Sequence, residues 1–156
     1  MRMTPQQMAA HTKRMAGNIK AARNARVAVG LPAEKVGGQV YGDGMTIVQV
    51  GASHEYGAGV PRRSFLRVPF DIKRDEMDTV TAQQFRAVFE KGQSLQRALR
   101  LIGTQGRNIV VMAFTSRGYG TWPDISDDTK RMKGSSQPLI DTGTLRNSIT
   151  YVVRGA

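Results

Sequence analysis

At 156 residues the chain fits one domain, and its 40% apolar fraction is ordinary for a globular core. It contains no cysteine, which excludes disulfides and thiolate metal sites. A net charge of +11 produces a positive field that favours a polyanion or an acidic protein partner. No run reaches the roughly 18 consecutive apolar residues of a membrane span. The opening Met1-Arg2-Met3-Thr4-Pro5-Gln6-Gln7 lacks a long apolar stretch, so no signal peptide is expected.

Residues 4–24 read as an amphipathic helix. Thr4 is the expected N-cap, Pro5 suits the first helical position and Gln7 completes a capping box. Met8, Thr12, Met15, Ile19 and Ala22 recur on one face at helical spacing. Lys13 and Lys20 lie opposite, with Arg14 and Arg23 on the flanks, and residues 1–33 contain no acid. The Met-rich stripe is expected to pack on the domain's own sheet. A helix lying on a membrane surface would carry Trp, Phe or Leu on that face, and these are missing.

Residues 26–31 alternate like a strand that Pro32 stops. Residues 37–41 and 45–50 read as two further strands joined through Gly42-Asp43-Gly44, a loop length that fits a hairpin. Residues 51–69 are rich in punctuating residues and read as a surface loop. A helix is expected from near Asp71 to Gly92, with Asp75, Glu76 and Asp78 in its early turns, where the helix dipole favours negative charge. Its buried stripe is Met77, Val80, Gln84, Phe85 and Val88. A second helix is expected from about Ser94 to Ser116 on a stripe of Leu95, Leu99, Ile102, Gly106, Ile109, Val110 and Ala113. Gly103 and Gly106 there would admit a second backbone closely. Residues 117–144 form a long irregular stretch, a length that points to a functional segment. Residues 148–153 alternate again and read as a closing strand.

Groups with catalytic potential are sparse. The two histidines, His11 and His54, lie far apart, and His54-Glu55 is not followed by a second histidine at zinc-protease spacing. Neither a dinucleotide nor a P-loop glycine pattern is present, and there is no Gly-x-Ser-x-Gly elbow. Asp75-Glu76 and Asp127-Asp128 read as a helix start and a solvated loop. No enzyme activity, catalytic residue, cofactor or metal is expected.

Two irregular segments are more specific. The first is Gly51-Ala52-Ser53-His54-Glu55-Tyr56-Gly57 followed by Val60-Pro61-Arg62-Arg63-Ser64-Phe65-Leu66-Arg67. The second runs from Trp122-Pro123-Asp124-Ile125-Ser126 through Thr129 and Lys133 to Pro138-Leu139-Ile140-Asp141-Thr142-Gly143-Thr144-Leu145-Arg146-Asn147-Ser148-Ile149. Together they resemble the virion morphogenesis and tail-completion families of tailed phages and prophages, whose pattern is a Gly-x-x-x-Glu-aromatic-Gly turn, a Pro-x-Arg-x-Phe loop and a late Pro-Leu-x-x-Thr-Gly-x-Leu-x-x-Ser stretch. Asp124 and Asp127 depart from that pattern by their charge. The tail-terminator, head–tail joining and tail-completion subfamilies share these motifs.

In its own chemistry, Glu55 is placed to pair with Arg62 or Arg63 across the loop, while Phe65 and Leu66 enter the core. Asp141 or Thr142 would bond nearby amides in a turn where Gly143 takes a positive φ. Glu55, Tyr56, Gly57, Pro61, Phe65, Pro138, Leu139, Asp141, Thr142, Gly143, Leu145 and Ser148 are therefore candidates for holding the motifs in shape. Arg62, Arg63, Arg67, Trp122, Lys130, Arg131 and Lys133 are candidates for contacts with a neighbouring subunit or partner, and Lys13, Lys20 and Arg23 for facing DNA. The expected fold is a single α+β domain, an antiparallel sheet of about four strands packed with two long helices, plus the N-terminal amphipathic helix and long loops.

The resemblance implies a structural neck or tail-completion protein at the head–tail junction or the top of the tail. It would assemble in the bacterial host cytoplasm as a homo-oligomeric ring of roughly six or twelve subunits. Its partners would be other phage head-completion and tail proteins, with non-specific contact to passing DNA and none to a membrane. The alternative from charge alone is a free-standing basic nucleic-acid-binding module.

Overall fold

The computed structural model describes residues 3–41, 44–133, 139 and 143–155. Its first element, α1 (Pro5–Asn24), begins as the sequence predicts. The Thr4 side chain accepts from the Gln7 amide, and the Gln7 side chain accepts from the Thr4 amide. The chain then enters β1 (Arg26–Gly30) and the short α2 (Ala33–Val36).

The rest of the expected meander does not form: residues 37–41 are a turn and a single bridge, and most of residues 45–50 are helical. Val40 and Thr46 share a single antiparallel bridge, and α3 (Ile47–Tyr56) follows at once. The physical reason is a second capping box: Thr46 accepts from the Gln49 amide, and Gln49 closes back onto the Thr46 amide. The apolar alternation of residues 45–50 concealed a helical face on which Ile47, Gly51 and Glu55 are buried at every fourth position. Two of those three residues are not apolar, so the period did not register as a hydrophobic one. The helix stops at Gly57, whose φ of 79° is the left-handed conformation that favours glycine at a helix end.

After a connecting loop come α4 (Arg67–Ile72) and α5 (Arg74–Lys91), broken from each other at Lys73. Gly92 ends α5, Ser94 caps α6 (Leu95–Thr115) and the two helices form an antiparallel hairpin. The buried face of α6 contains every residue of the predicted stripe. This helix lies under the strands as well as beside α5. Its Gly103 sits directly beneath the Tyr151 ring, and a Cβ on Gly106 would stand 2.9 Å from Val29 and 3.3 Å from Phe70. The two small residues let α6 approach the sheet closely.

The chain leaves α6 through a left-handed turn in which Arg117 and Tyr119 have φ values of 52° and 56°. Left-handed backbone costs roughly 1–2 kcal/mol per non-glycine residue. Bonds from the Tyr119 amide to Ser116 Oγ and from the Tyr119 hydroxyl to the Ile109 carbonyl hold it. The turn returns Trp122 onto α6. Two more short helices follow, α7 (Asp127–Lys133) and α8 (Thr144–Ser148), then β2 (Thr150–Arg154). β2 pairs antiparallel with β1 in the register Arg26↔Arg154 to Gly30↔Thr150, so the first and last strands of the chain meet.

The described structure is 63% helical with a two-stranded antiparallel sheet, which corrects the expected four-stranded α+β arrangement. The two long helices and the pairing of the flanking strands are present. Of the middle strands, 37–41 is reduced to one bridge and 45–50 gives way to α3. Residues 51–69, expected as a loop, hold most of α3 and the start of α4.

The core has two parts. One gathers Ile47, Phe65, Val110, Ala113, Phe114, Trp122, Leu139, Leu145 and Ile149 around the end of α6. The other gathers Val88, Leu95, Ala98 and Leu99 at the α5–α6 turn, with Ala21, Ala22 and Ala25 of α1 packed on it. Here α1 departs from expectation. It buries none of its side chains, and Met8 and Ile19 are 57% and 46% exposed. The helix packs through its small alanines, one of them Ala22 of the predicted stripe; Met15 is half-buried, and Met8 and Ile19 are left in solvent.

Candidate functional site

The two segments that carry the resemblance are far apart in the chain and meet in space. They meet where Arg63 and Ser64 bond residues 122–124, and the first segment is itself organised around Glu55, on the last turn of α3 and only 7% exposed. Its carboxylate does not pair with an arginine. Oε1 accepts from Ser64 Oγ at 2.7 Å and from the Arg67 amide at 3.2 Å, and Oε2 accepts from the Phe65 and Leu66 amides at 2.8 and 2.9 Å. One side chain thus fixes four consecutive residues, and three of its bonds reach backbone N–H groups at the entry to α4. A negative group is favoured there because those amides lack partners within the helix. Ser64 Oγ in turn accepts from the Val68 amide at 3.1 Å.

The arginines expected to pair with Glu55 act differently. Arg62 is exposed, and its Nε donates to the backbone carbonyl of Glu55 at 3.3 Å. Arg63 is buried: Nε donates to the Pro123 carbonyl at 3.2 Å and an Nη to the Asp124 carbonyl at 3.1 Å. Burial pushes the Arg63 guanidinium below its ordinary range, and nearby Asp124 offsets part of this. Trp122 Nε1 donates to the Ser64 carbonyl at 3.0 Å. Three bonds thus tie residues 63–64 to residues 122–124. Beneath them Phe65, Phe114 and Trp122 stack in sequence, with centroids 5.5 and 5.6 Å apart and the second contact edge-on.

The late motif closes the same hub. Leu139 and Leu145 join the Phe65–Trp122 cluster, Gly143 takes a φ of 77° ahead of α8, and Ser148 Oγ bonds Gln39 Oε1 and the Thr144 carbonyl, each at 2.9 Å. Pro138, Asp141 and Thr142 lie outside the described residues, as does the Lys133 side chain.

The candidate contact residues separate into two groups. Arg63 and Trp122 are internal, whereas Arg62 and Arg67 are exposed along with Pro61. Tyr56, expected to hold the motif in shape, is 71% exposed and projects from the end of α3. On α7, Lys130 pairs with Asp124 at 3.0 Å and Asp127 at 3.3 Å, and exposed Arg131 pairs with Asp128. The Lys130 ammonium holds the Asp124 carboxyl below its usual range, and Asp124 and Asp127 raise Lys130. The two acids that depart from the family pattern therefore act on one lysine. Lys13, Lys20 and Arg23 are all exposed on α1.

The residues of the hub are marked in the sequence, but their wiring is set by the fold. The signal that could have placed Glu55 was its spacing from Ile47 and Gly51 behind a Thr-x-x-Gln cap. Beside the hub a cavity of about 510 Å³ opens between His54, Pro61, Arg63, Ile125, Thr129 and Leu139. Among the described residues, no group of three His, Cys, Asp or Glu side chains could hold a metal, and no helix is long and apolar enough to cross a membrane. No protein-family model matches the chain, and no match to it was found among the curated proteins or the solved structures.

Proposed function

We propose that this chain is a non-enzymatic structural component of a tailed-phage or prophage particle, assembled as a ring in the neck or at the top of the tail. The observation that supports this reading is that the Pro-x-Arg-x-Phe loop is bound to Glu55 of the preceding turn and braced from behind by Trp122, Pro123 and Asp124 of the second segment. All four donors around its carboxylate serve to hold one loop in one shape. A carboxylate so committed has little freedom for acid–base work. Behind the loop, buried bonds from Arg63 and Trp122 prevent it from shifting. In front of it Tyr56, Pro61, Arg62 and Arg67 face outward. A rigid loop presenting an aromatic ring and arginines has the composition of a protein–protein contact.

In this reading the protein is built into the virion after folding in the host cytoplasm, beside other head-completion and tail proteins, in a ring of roughly six or twelve subunits. The basic excess would attract passing DNA through phosphates without reading bases. The test is to disrupt the gene in a phage or prophage that encodes it. Mass spectrometry of purified parental particles should find the protein, and particles of the mutant should show unjoined heads and tails by electron microscopy. Absence from particles together with normal infectivity would overturn the proposal.

One observation favours the nucleic-acid-binding alternative: Lys13, Lys20 and Arg23 are exposed on a helix that carries no acid. Reversing these three charges should reduce DNA-related function while leaving any ring intact. Tight binding of the isolated protein to short duplex DNA, falling steeply with salt, together with absence from particles, would select that alternative.

A further inference from the structure

We propose that α1 is an assembly arm whose Met8–Met15–Ile19 stripe docks on the acidic α4–α5 corner of a second copy of the chain, in a head-to-tail contact. The inference deepens the assembly reading above and rests on it for the existence of a ring.

The first observation is that α1 is only partly attached. Its Ala21, Ala22 and Ala25 pack at the α5–α6 turn, and the Arg14 guanidinium lies 3.4 Å from where a Cβ on Gly92 would be. Ahead of Arg14 the side-chain hydrogen bonds of the arm stay within α1 and its cap. Residues 5–13 span about 13 Å of helix ahead of Arg14, and all of them but His11 are exposed. A short helix without tertiary packing is marginal in water, and this one displays Met8 and Ile19 to solvent on one side. An arm that gives its own core so little is explained by a partner that covers it.

The second observation is the distribution of charge along the molecule. The arm carries Lys13, Arg14, Lys20 and Arg23 with no acid, and the α5–α6 turn beside it adds exposed Lys91, Arg97 and Arg100. At the opposite end of α5, roughly 24 Å away by helical rise, stand Asp71, Asp75, Glu76 and Asp78. Asp75 and Asp78 are exposed and in no ion pair among the described residues, unlike Asp71 and Glu76, which pair with Arg74 and Lys73. This end also exposes apolar side chains. Ile72 lies between Asp71 and Asp75 in sequence, and Met112 of the antiparallel α6 comes alongside Lys73 and Glu76.

A basic, apolar arm at one end and an acidic, apolar corner at the other are the two halves of one heterologous contact. Repeated from copy to copy, such a contact closes into a ring or runs on as a filament. DNA would satisfy the charges of the arm but has no use for the methionine–isoleucine stripe. A second copy satisfies both.

The experiment uses the full chain and two double variants, Met8→Asp with Ile19→Asp on the arm, and Asp75→Arg with Asp78→Arg on the corner. All three are first matched by circular dichroism and Trp122 fluorescence, then measured by mass photometry and sedimentation velocity. The parent is expected to form a species larger than a dimer, and each variant alone to run as a monomer. Mixed in equal amounts, the variants should give a one-to-one dimer, because one arm and one corner remain intact between them. A parental mass retained by the arm variant would overturn the inference while leaving the assembly reading standing. So would a parent monomeric at every concentration yet present in particles. A mixture that stays monomeric would overturn the head-to-tail arrangement. Loss of DNA retention by the arm variant with no change in mass would assign the stripe to nucleic acid instead.

Discussion

Replacing Glu55 with alanine removes the acceptor for the Ser64 hydroxyl and for the Phe65, Leu66 and Arg67 amides at once. Hydrogen bonds to a charged group contribute about 1.5–3 kcal/mol each, and a buried donor left without an acceptor costs about 1–3 kcal/mol. The four bonds share one carboxylate, so their losses do not add. Water entering the vacated space relieves part of the penalty, and the expected net cost is about 3–5 kcal/mol. For a chain of this size each kcal/mol lowers Tm by about 2–4 °C, so the variant should melt roughly 6–20 °C below the parent. Glu55→Gln is the informative control. Its oxygen can still accept from Phe65 and Leu66, and its amide can donate to Ser64 Oγ, which leaves chiefly the Arg67 amide unmet. It should cost only about 1–2 kcal/mol. The assay is thermal unfolding followed by far-UV circular dichroism and by the emission of Trp122, the sole tryptophan, which sits in the same hub. If Glu55→Ala melts within roughly 2 °C of the parent, the carboxylate does not hold the loop.

The remaining expectations follow from the same contacts. Trp122→Phe keeps the ring against Phe114 but removes the donor to the Ser64 carbonyl, and should lower stability by about 1–2 kcal/mol in urea titrations. Gly103→Ala drives a methyl group into the Tyr151 ring and should cost about 1–3 kcal/mol; adding Tyr151→Leu should recover part of that loss in a double-mutant cycle. Asp124 has its pKa lowered first by the Lys130 hydrogen bond. Its contribution to stability is therefore present above the ordinary aspartate range and lost as pH falls through the depressed value. Lys130→Ala should move the Asp124 carboxyl back up in an NMR titration, and an unchanged titration would show that the pair does not form in solution.

Much of this protein was legible in its sequence because the signals are local. The α1 capping box, the α5–α6 hairpin with Gly92 at its bend and the buried stripe of α6 all depend on residues within a turn or two of one another. The first and last strands were likewise readable from alternation over five or six residues. At α3 two local signals conflict: residues 45–50 alternate in hydrophobicity, while the Thr46–Gln49 cap favours a helix, and the cap prevails.

Partnership was decided only by the tertiary structure. Glu55 stands within eight residues of two arginines, which made an ion pair the natural expectation. In the folded chain the closing turn at Gly57 directs the carboxylate instead to a helix entry, where unbonded amides outcompete a guanidinium that can remain in water or reach carbonyls elsewhere. The methionine stripe of α1 was equally visible in sequence, but periodicity reports only that a face is apolar. Which face packs depended on the close fit of Ala21, Ala22 and Ala25 against the α5–α6 turn, a contact between segments some seventy residues apart. Amphipathicity and caps are properties of a segment; which surface it meets is a property of the whole chain's packing.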